Sequence, residues 1–212
     1  QYDLSSVEYW VSAGDLLTVA IGRRWEQKFN RKIRQGYGAT ETCGGVSMCP
    51  VDIDIPPKSV GRIMATKKIK IVDPATLEPV KVGDAGELLV SSDYMVINYL
   101  NKPEETAESF IEIDNIKWYR TADSMSMDED NNLYFVDRTV DTIKHKGYRI
   151  SASEIESVLQ EHPAVIGACV VGVPDEKVGE RIKAYVVLKE DIKGITGYAL
   201  IKWCRESLVA YK

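Results

Sequence analysis

Histidine is nearly absent from this 212-residue chain: there are only His145 and His162, and the four cysteines (Cys43, Cys49, Cys169, Cys204) form no CxxC or Cys/His pair. Zinc sites draw four such ligands from close spacings, so none is expected. Histidine-based catalysis has equally little to work with. The scattered thiols fit a reducing, cytoplasmic setting, and packing is the expected role for all but Cys43, which closely follows an acid. Long apolar runs are missing too, and QYDLSSVEYW lacks a basic-then-apolar signal pattern, so no membrane span is expected. Basic residues are not in excess: 27 Lys and Arg against 32 Asp and Glu give a net charge of −5. Without a concentrated basic surface, tight binding to nucleic acid is not expected. What remains is an ordinary globular balance, 44% hydrophobic and 28% charged, with room for one large domain or two small ones.

Three textures follow one another along the chain. In residues 1–45, SSVEYWV reads as a strand and SAGD as a turn. Leu17, Ile21, Trp25 and Phe29 then share one face of a helix, with Asp15 placed as its cap or first-turn acid. KIRQ reads as a second strand and GYGATE as the loop after it. A right-handed crossover makes the two strands parallel, which puts SAGD and GYGATE at the carboxyl edge where open α/β sheets bind ligands. In residues 46–138, KKIKIVD, GELLVSS, MVINYL, KWYRTA and NLYFVD are short strands between turn signals, and Pro103 opens a brief helix. In residues 139–212, TIKHKGYRIS reads as a hairpin, and Ser153 with Glu156 as a capping box. VIGACVVGV and IKAYVVL are apolar strands, and TGYALIKWCRESL is an amphipathic helix. The expected fold class is α/β plus β plus α+β: a partial parallel αβ subdomain, an antiparallel β subdomain and a small α+β domain, with a boundary near Arg138.

Three polar elements stand out. In GYGATE, Gly36 and Gly38 permit close backbone approach, Tyr37 offers a flat face, Thr40 a hydroxyl, and Glu41 a hard oxygen ligand suited to magnesium beside phosphates. A solvated turn with an incidental acid explains the same residues. Thr121, Ala122 and Asp123 follow Trp118 and Tyr119 at an expected strand end, where an aspartate can accept from both hydroxyls of a ribose; a plain loop acid is the bland alternative. DRTVDTIKHKGYRIS carries Arg138, Asp141, Lys144 and Gly147, which a hairpin with solvent-facing lysines explains equally well. His145 reads as exposed, and His162 as a helix-end residue.

Taken in order, these elements resemble the adenylate-forming acyl-CoA synthetases over essentially the whole chain. SAGD resembles the family's adenine-contacting loop, GYGATE its Y-G-x-T-E signature, and GELLVSS with NYLNKPEET the segment that follows. YRTAD resembles Y-x-T-G-D, and YFVDRTVDTIKHKGYRISASEIE the signature at the domain junction. HPAV, VVGVPD and GERIKAYVVL resemble the C-terminal domain. The resemblance implies that Tyr37 stacks on adenine, with Gly14 and Asp15 at the ring's border beside Gly36 and Gly38. Thr40 would hold the α-phosphate, Glu41 would ligate Mg2+, and Asp123 and Arg138 would bind the ribose. Lys144, Gly147 and Tyr148 would serve the coenzyme A step, with Thr139 and Val140 as the hinge. It implies an ATP-dependent ligase: a carboxylic (fatty) acid becomes an acyl-adenylate with loss of pyrophosphate, and coenzyme A then displaces AMP.

The family's glycine-rich phosphate loop is not found in these residues. Its last catalytic lysine would follow a segment like LVAYK, so Lys212 is not assigned that role. The 212 residues alone are therefore expected to be inactive in adenylation. Ala122 replaces the usual glycine of T-G-D, Asn98 a common glycine, and uncharged Val140 the usual acid or lysine. Gly44 and Gly45 favour an acid longer than acetate. Two alternatives stay open: a peptide-synthetase adenylation domain, which I-K-x-K-G-Y-R-I disfavours, and a non-catalytic nucleotide-binding relative. The sequence carries no reading of oligomeric state.

Overall fold

The computed structural model describes residues 3–138, 142–190, 192 and 194–209. Thr139 and Val140, the expected hinge, lie outside these residues, as do Asp141 and Lys212. The chain divides into two compact units, Gln1–Val136 and Asp137–Lys212.

The first unit is built on a nine-stranded mixed sheet in the order β1-β2-β3-β4-β9-β8-β6-β5, with β7 on the side of β8. Its strands are β1 (Trp10–Ser12), β2 (Ile33–Ala39), β3 (Gly44–Met48), β4 (Ser59–Ile63), β5 (Lys68–Val72), β6 (Gly86–Ser91), β7 (Phe110–Ile113), β8 (Ile116–Met127) and β9 (Leu133–Arg138). β1 and β2 pair in parallel, Ser12 opposite Gln35, across helix α1 (Val19–Phe29). The cap differs from expectation. Thr18, not Asp15, accepts from the Ile21 N–H at 3.4 Å, and the helix begins four residues beyond Asp15, whose carboxylate instead accepts from Leu16 N at 2.7 Å. The four-residue apolar spacing does find a partner: the Trp25 ring centroid lies 4.9 Å from Trp10 and 4.3 Å from Phe29.

Three further expectations change. GYGATE is largely strand, because β2 runs through Ala39 before the 3-10 turn Thr40–Thr42 sends the chain back antiparallel as β3. The glycines make that pairing: a Cβ on Gly36 would meet Met48 Cε at 2.9 Å, and one on Gly38 the Gly44 carbonyl at 2.7 Å. MVINYL forms no strand. Met95 packs on the core while Ile97 and Leu100 are exposed, and the Val96 N–H donates to the Glu41 carbonyl rather than to a ladder. Thr121, Ala122 and Asp123 lie inside β8, not at its end. Glu87 pairs Ser124 and Leu89 pairs Arg120, so these three residues bulge opposite the single Leu88.

Bulges of this kind re-aim side chains, and Ala122 bears the local cost with φ +57°. A left-handed alanine is strained where glycine is not. Ala122→Gly is accordingly expected to stabilise the first unit by about 1 kcal/mol, read as a raised urea midpoint at unchanged slope; a lowered midpoint would refute the strain.

The sheet's apolar interior comprises Val46, Val60, Leu88, Val90, Met125 and Leu133, with a second group of Val72, Leu89 and Trp118. At the β8–β9 turn the Asp128 carboxylate accepts from Asn132 N at 2.8 Å and from Tyr134 Oη at 2.8 Å. Burial would raise Asp128, but the bonds from Asn132 and Tyr134 outweigh it and the net direction is down. Burial, then the bond to Asp128, pushes Tyr134 up to about 12 from 10.0. The tyrosine's contribution is thus complete below pH 10 and is lost as pH rises through about 12. Tyr134→Phe should flatten the fall in melting temperature over that alkaline window, while an unchanged slope would show that the bond contributes nothing.

The second unit is a four-stranded antiparallel sheet in the order β11-β10-β13-β12. It comprises β10 (Thr142–His145), β11 (Tyr148–Ser151), α3 (Ala152–Glu161), β12 (Val165–Asp175), β13 (Gly179–Leu188) and α4 (Gly197–Ser207). Its core gathers Ile143, Ile150, Ile155, Leu159, Val165, Val170 and Leu200. The hairpin is as expected, but the helix cap is two residues early. Ser151 accepts from Glu154 N at 3.2 Å, while Glu156 accepts from Val170 N at 2.7 Å and ties the helix to the sheet. The α/β plus β plus α+β class stands.

Candidate active site

Two hydrogen bonds gather the first unit's motifs at the end of β2. Tyr37 Oη donates to Asp123 Oδ2 at 2.5 Å, across 86 residues of sequence. Tyr99 Oη donates to Glu41 Oε1 at 2.7 Å, across 58. Tyr37 packs on the sheet's core, and Asp123 is buried. Burial first, then the Asp123 charge, pushes the Tyr37 phenol far above its ordinary range, so it remains a donor. The Asp123 N–H donates to Thr121 Oγ1 at 3.1 Å, and that hydroxyl donates to the Leu88 carbonyl at 2.8 Å, which fixes the bulge.

The turn bearing Thr40 and Glu41 is held by groups that sequence reasoning passed over. Thr42 is fully buried; its hydroxyl accepts from Ala39 N at 3.2 Å and has the Ala39 and Gly44 carbonyls as alternative acceptors for its one proton. Lys67, also buried, donates to the Thr42 carbonyl at 2.5 Å, to Tyr94 O at 3.3 Å and to Ser92 Oγ at 3.4 Å. Gln35 accepts from Leu17 N at 2.9 Å and so ties the chain after SAGD to β2. The available signals were a lysine opening an apolar strand and a glutamine at the end of one. Tyr119 is pushed well above its ordinary range, first by burial and then by the charge on Glu41, so a second phenol lies in the field of that carboxylate.

Gly14 and Asp15 sit in an exposed loop, and Thr40 is exposed at the turn. The open space expected at Gly45 is taken by the Met64 thioether, 2.9 Å from where a Cβ would be, whereas Gly44 faces nothing within 4 Å. Cys43 is an exposed thiol with φ +51°. Cys169 is exposed as well, against the expected packing role, because it lies on an outward position of β12.

Arg138, the last residue of β9, and Lys144 of β10 are exposed, and the Lys144 N–H donates to Glu180 Oε2 at 2.5 Å. Lys146 and Gly147 both have positive φ, +50° and +83°, the pair a tight hairpin turn requires, and Tyr148 is exposed beside them. His145 is half-buried rather than exposed, since its Nδ1 donates to the Glu180 carbonyl at 2.7 Å. His162 caps α3 as expected and accepts from Ala164 N at 3.2 Å.

Among the described residues, no three His, Cys, Asp or Glu side chains gather as a metal cluster. A single carboxylate beside an exposed hydroxyl is the donor set that magnesium uses when phosphate oxygens and water complete its shell. Glu41 fits that pattern.

Residues 1–100 match the family described as AMP-binding enzyme, and residues 154–212 match AMP-binding enzyme C-terminal domain. The chain is 33% identical over 217 residues to 4-coumarate–CoA ligase 1 of Glycine max, covering all of this chain and 73% of that protein. The chain belongs to the adenylate-forming, AMP-binding enzymes. Luciferin 4-monooxygenase of Photuris pensylvanica is 38% identical over 190 residues, 89% of this chain and 34% of its own length. The chain thus spans about a third of that relative's length. The crystal structure of the anthranilate CoA ligase AuaEII in complex with anthranoyl-AMP superposes with a TM-score of 0.88 at 29% identity, covering all of this chain and 40% of that one. No described helix is long and apolar enough to cross a membrane.

Proposed function

We propose that this chain forms part of an AMP-forming acid–CoA ligase, which activates a carboxylic acid with ATP and passes the acyl group to coenzyme A. The Tyr37–Asp123 hydrogen bond carries the reading. It joins the flat aromatic face suited to adenine to the acid suited to a ribose. Gly14 and Asp15 would border the base, with Gly36 and Gly38 flanking Tyr37. Thr40, exposed at the turn, would donate to an α-phosphate oxygen, and Asp123 would accept from the ribose hydroxyls. Glu41 would hold magnesium, which supplies neutralisation of phosphate charge when bound. Lys67 and Thr42 keep the turn rigid, so these donors need no rearrangement as charge develops on the phosphate, which is where preorganised groups contribute most. The thioester step is assigned to Lys144, Gly147 and Tyr148 of the hairpin in the second unit. The anthranoyl-AMP bound to the similar AuaEII supports the adenylate chemistry for this chain.

The test is acid-dependent ATP–pyrophosphate exchange by the full-length protein carrying these residues, followed by release of AMP on adding coenzyme A. Exchange with no thioester product would leave the adenylate reading and remove the ligase one. No exchange with any of a panel of aliphatic and aromatic acids would favour a nucleotide-binding relative without turnover.

A further inference from the structure

We infer that Tyr99 is a positioning residue that aims the Glu41 carboxylate, an inference that rests on the reading of Glu41 as a magnesium ligand. Its hydroxyl donates to Oε1 at 2.7 Å. A carboxylate swings freely about its last torsion, whereas magnesium demands near-ideal octahedral geometry. A donor fixed on Oε1 removes that freedom and biases which lone pairs face the metal. Tyr99 is well anchored for the task. Its N–H donates to Thr106 Oγ1 at 3.0 Å, on the helix α2 (Pro103–Ser109), and that hydroxyl donates to the Lys102 carbonyl at 2.6 Å. Its ring lies against Phe110 with centroids 5.8 Å apart, and Phe110 in turn lies 5.3 Å from Tyr119. The Glu41 backbone is gripped from the same segment, because Val96 N donates to its carbonyl at 2.9 Å. One irregular stretch, the four residues from Val96 to Tyr99, therefore holds both the main chain and the side chain of one acid. A structural role alone would need only the backbone bond and the ring packing; the hydroxyl is aimed at the carboxylate.

The test uses the full-length protein and measures ATP binding by equilibrium dialysis as free Mg2+ is raised. Groups that orient metal-ligating side chains typically control metal affinity by about 10- to 100-fold. Tyr99→Phe, which keeps the ring, is expected to raise the half-saturating Mg2+ by about 10-fold or more and to leave ATP binding without metal unchanged. Thr106→Val, which removes the anchoring hydroxyl and keeps that of Tyr99, should shift it in the same direction by less. It also serves if the first variant misfolds. Glu41→Gln is the reference. If it leaves the Mg2+ dependence unchanged, the reading of Glu41 itself is wrong. If it shifts the dependence while neither Tyr99→Phe nor Thr106→Val does, Glu41 stands and the positioning inference falls. A lower melting temperature at constant Mg2+ dependence would likewise overturn it, since that is the signature of packing alone.

Discussion

Gly61→Ala should cost the first unit about 3–5 kcal/mol. Gly61 has φ +95°, and a Cβ built there would lie 2.0 Å from the Met48 carbonyl carbon and 2.3 Å from Cys49 N. These are backbone atoms, which cannot rotate aside as a side-chain tip would. The close approach exists because β4 pairs with β3 on one side and with β9 on the other, and its register slips between Ser59 and Gly61. Ser59 Oγ accepts from Gly61 N at 3.0 Å and donates to the Leu133 carbonyl at 2.9 Å, which pins the slip. Urea denaturation decides the matter, with Gly83→Ala as the comparison. Gly83 has φ +89° but nothing within 4 Å of its missing Cβ, so it should lose about 1–2 kcal/mol from conformational strain alone. Equal losses at the two positions would show that the clash at Gly61 relaxes freely. The larger loss would carry to the site, because β3 begins two residues after the turn that bears Glu41.

The parallel β1–β2 pair, the hairpin that turns at Lys146 and Gly147, and the apolar strands of the second unit were legible because each depends on local periodicity or turn chemistry. Trp25 and Phe29 could be placed on one helix face from spacing alone. Non-local pairing was what the sequence concealed. GYGATE reads as a loop because glycines punctuate loops, yet Gly36 and Gly38 are there so that β3 can lie against β2. The T-A-D segment reads as a strand end because an alanine and an acid interrupt the apolar pattern, but the interruption is a bulge inside a 12-residue strand. The candidate residues Tyr37, Glu41 and Asp123 were visible as residue types. The groups around them, Tyr99 and Tyr119 beside Glu41 and Lys67 and Gln35 bracing the neighbouring chain, were not, since an aromatic in a strand-like run or a lysine before one is ordinarily packing or surface. Only the fold shows that Lys67 spends its three donors on acceptors around the turn.

Glu41→Gln should lower acid-dependent ATP–pyrophosphate exchange by about 100- to 1,000-fold, roughly 2.7–4 kcal/mol of transition-state stabilisation, the scale set by removing one preorganised electrostatic group. The substitution is nearly isosteric, and its backbone contact is untouched: Val96 N still reaches the residue 41 carbonyl. The amide oxygen can also still accept from Tyr99, so the turn keeps its shape. What goes is the negative charge, and a neutral amide is a far weaker ligand for a hard divalent cation. The melting temperature should therefore stay within about 2 °C of the parent, since the change lies outside the buried core and surface-type substitutions rarely exceed 0.5 kcal/mol. The loss should fall mainly on kcat/KM at low Mg2+ and shrink as Mg2+ is raised, because mass action refills a weakened site. A loss that no amount of Mg2+ reduces would place Glu41 in direct contact with the reacting groups rather than with a metal. Exchange within about threefold of the parent at all Mg2+ concentrations would return the acid to the incidental role that its flexible-looking surroundings first allowed.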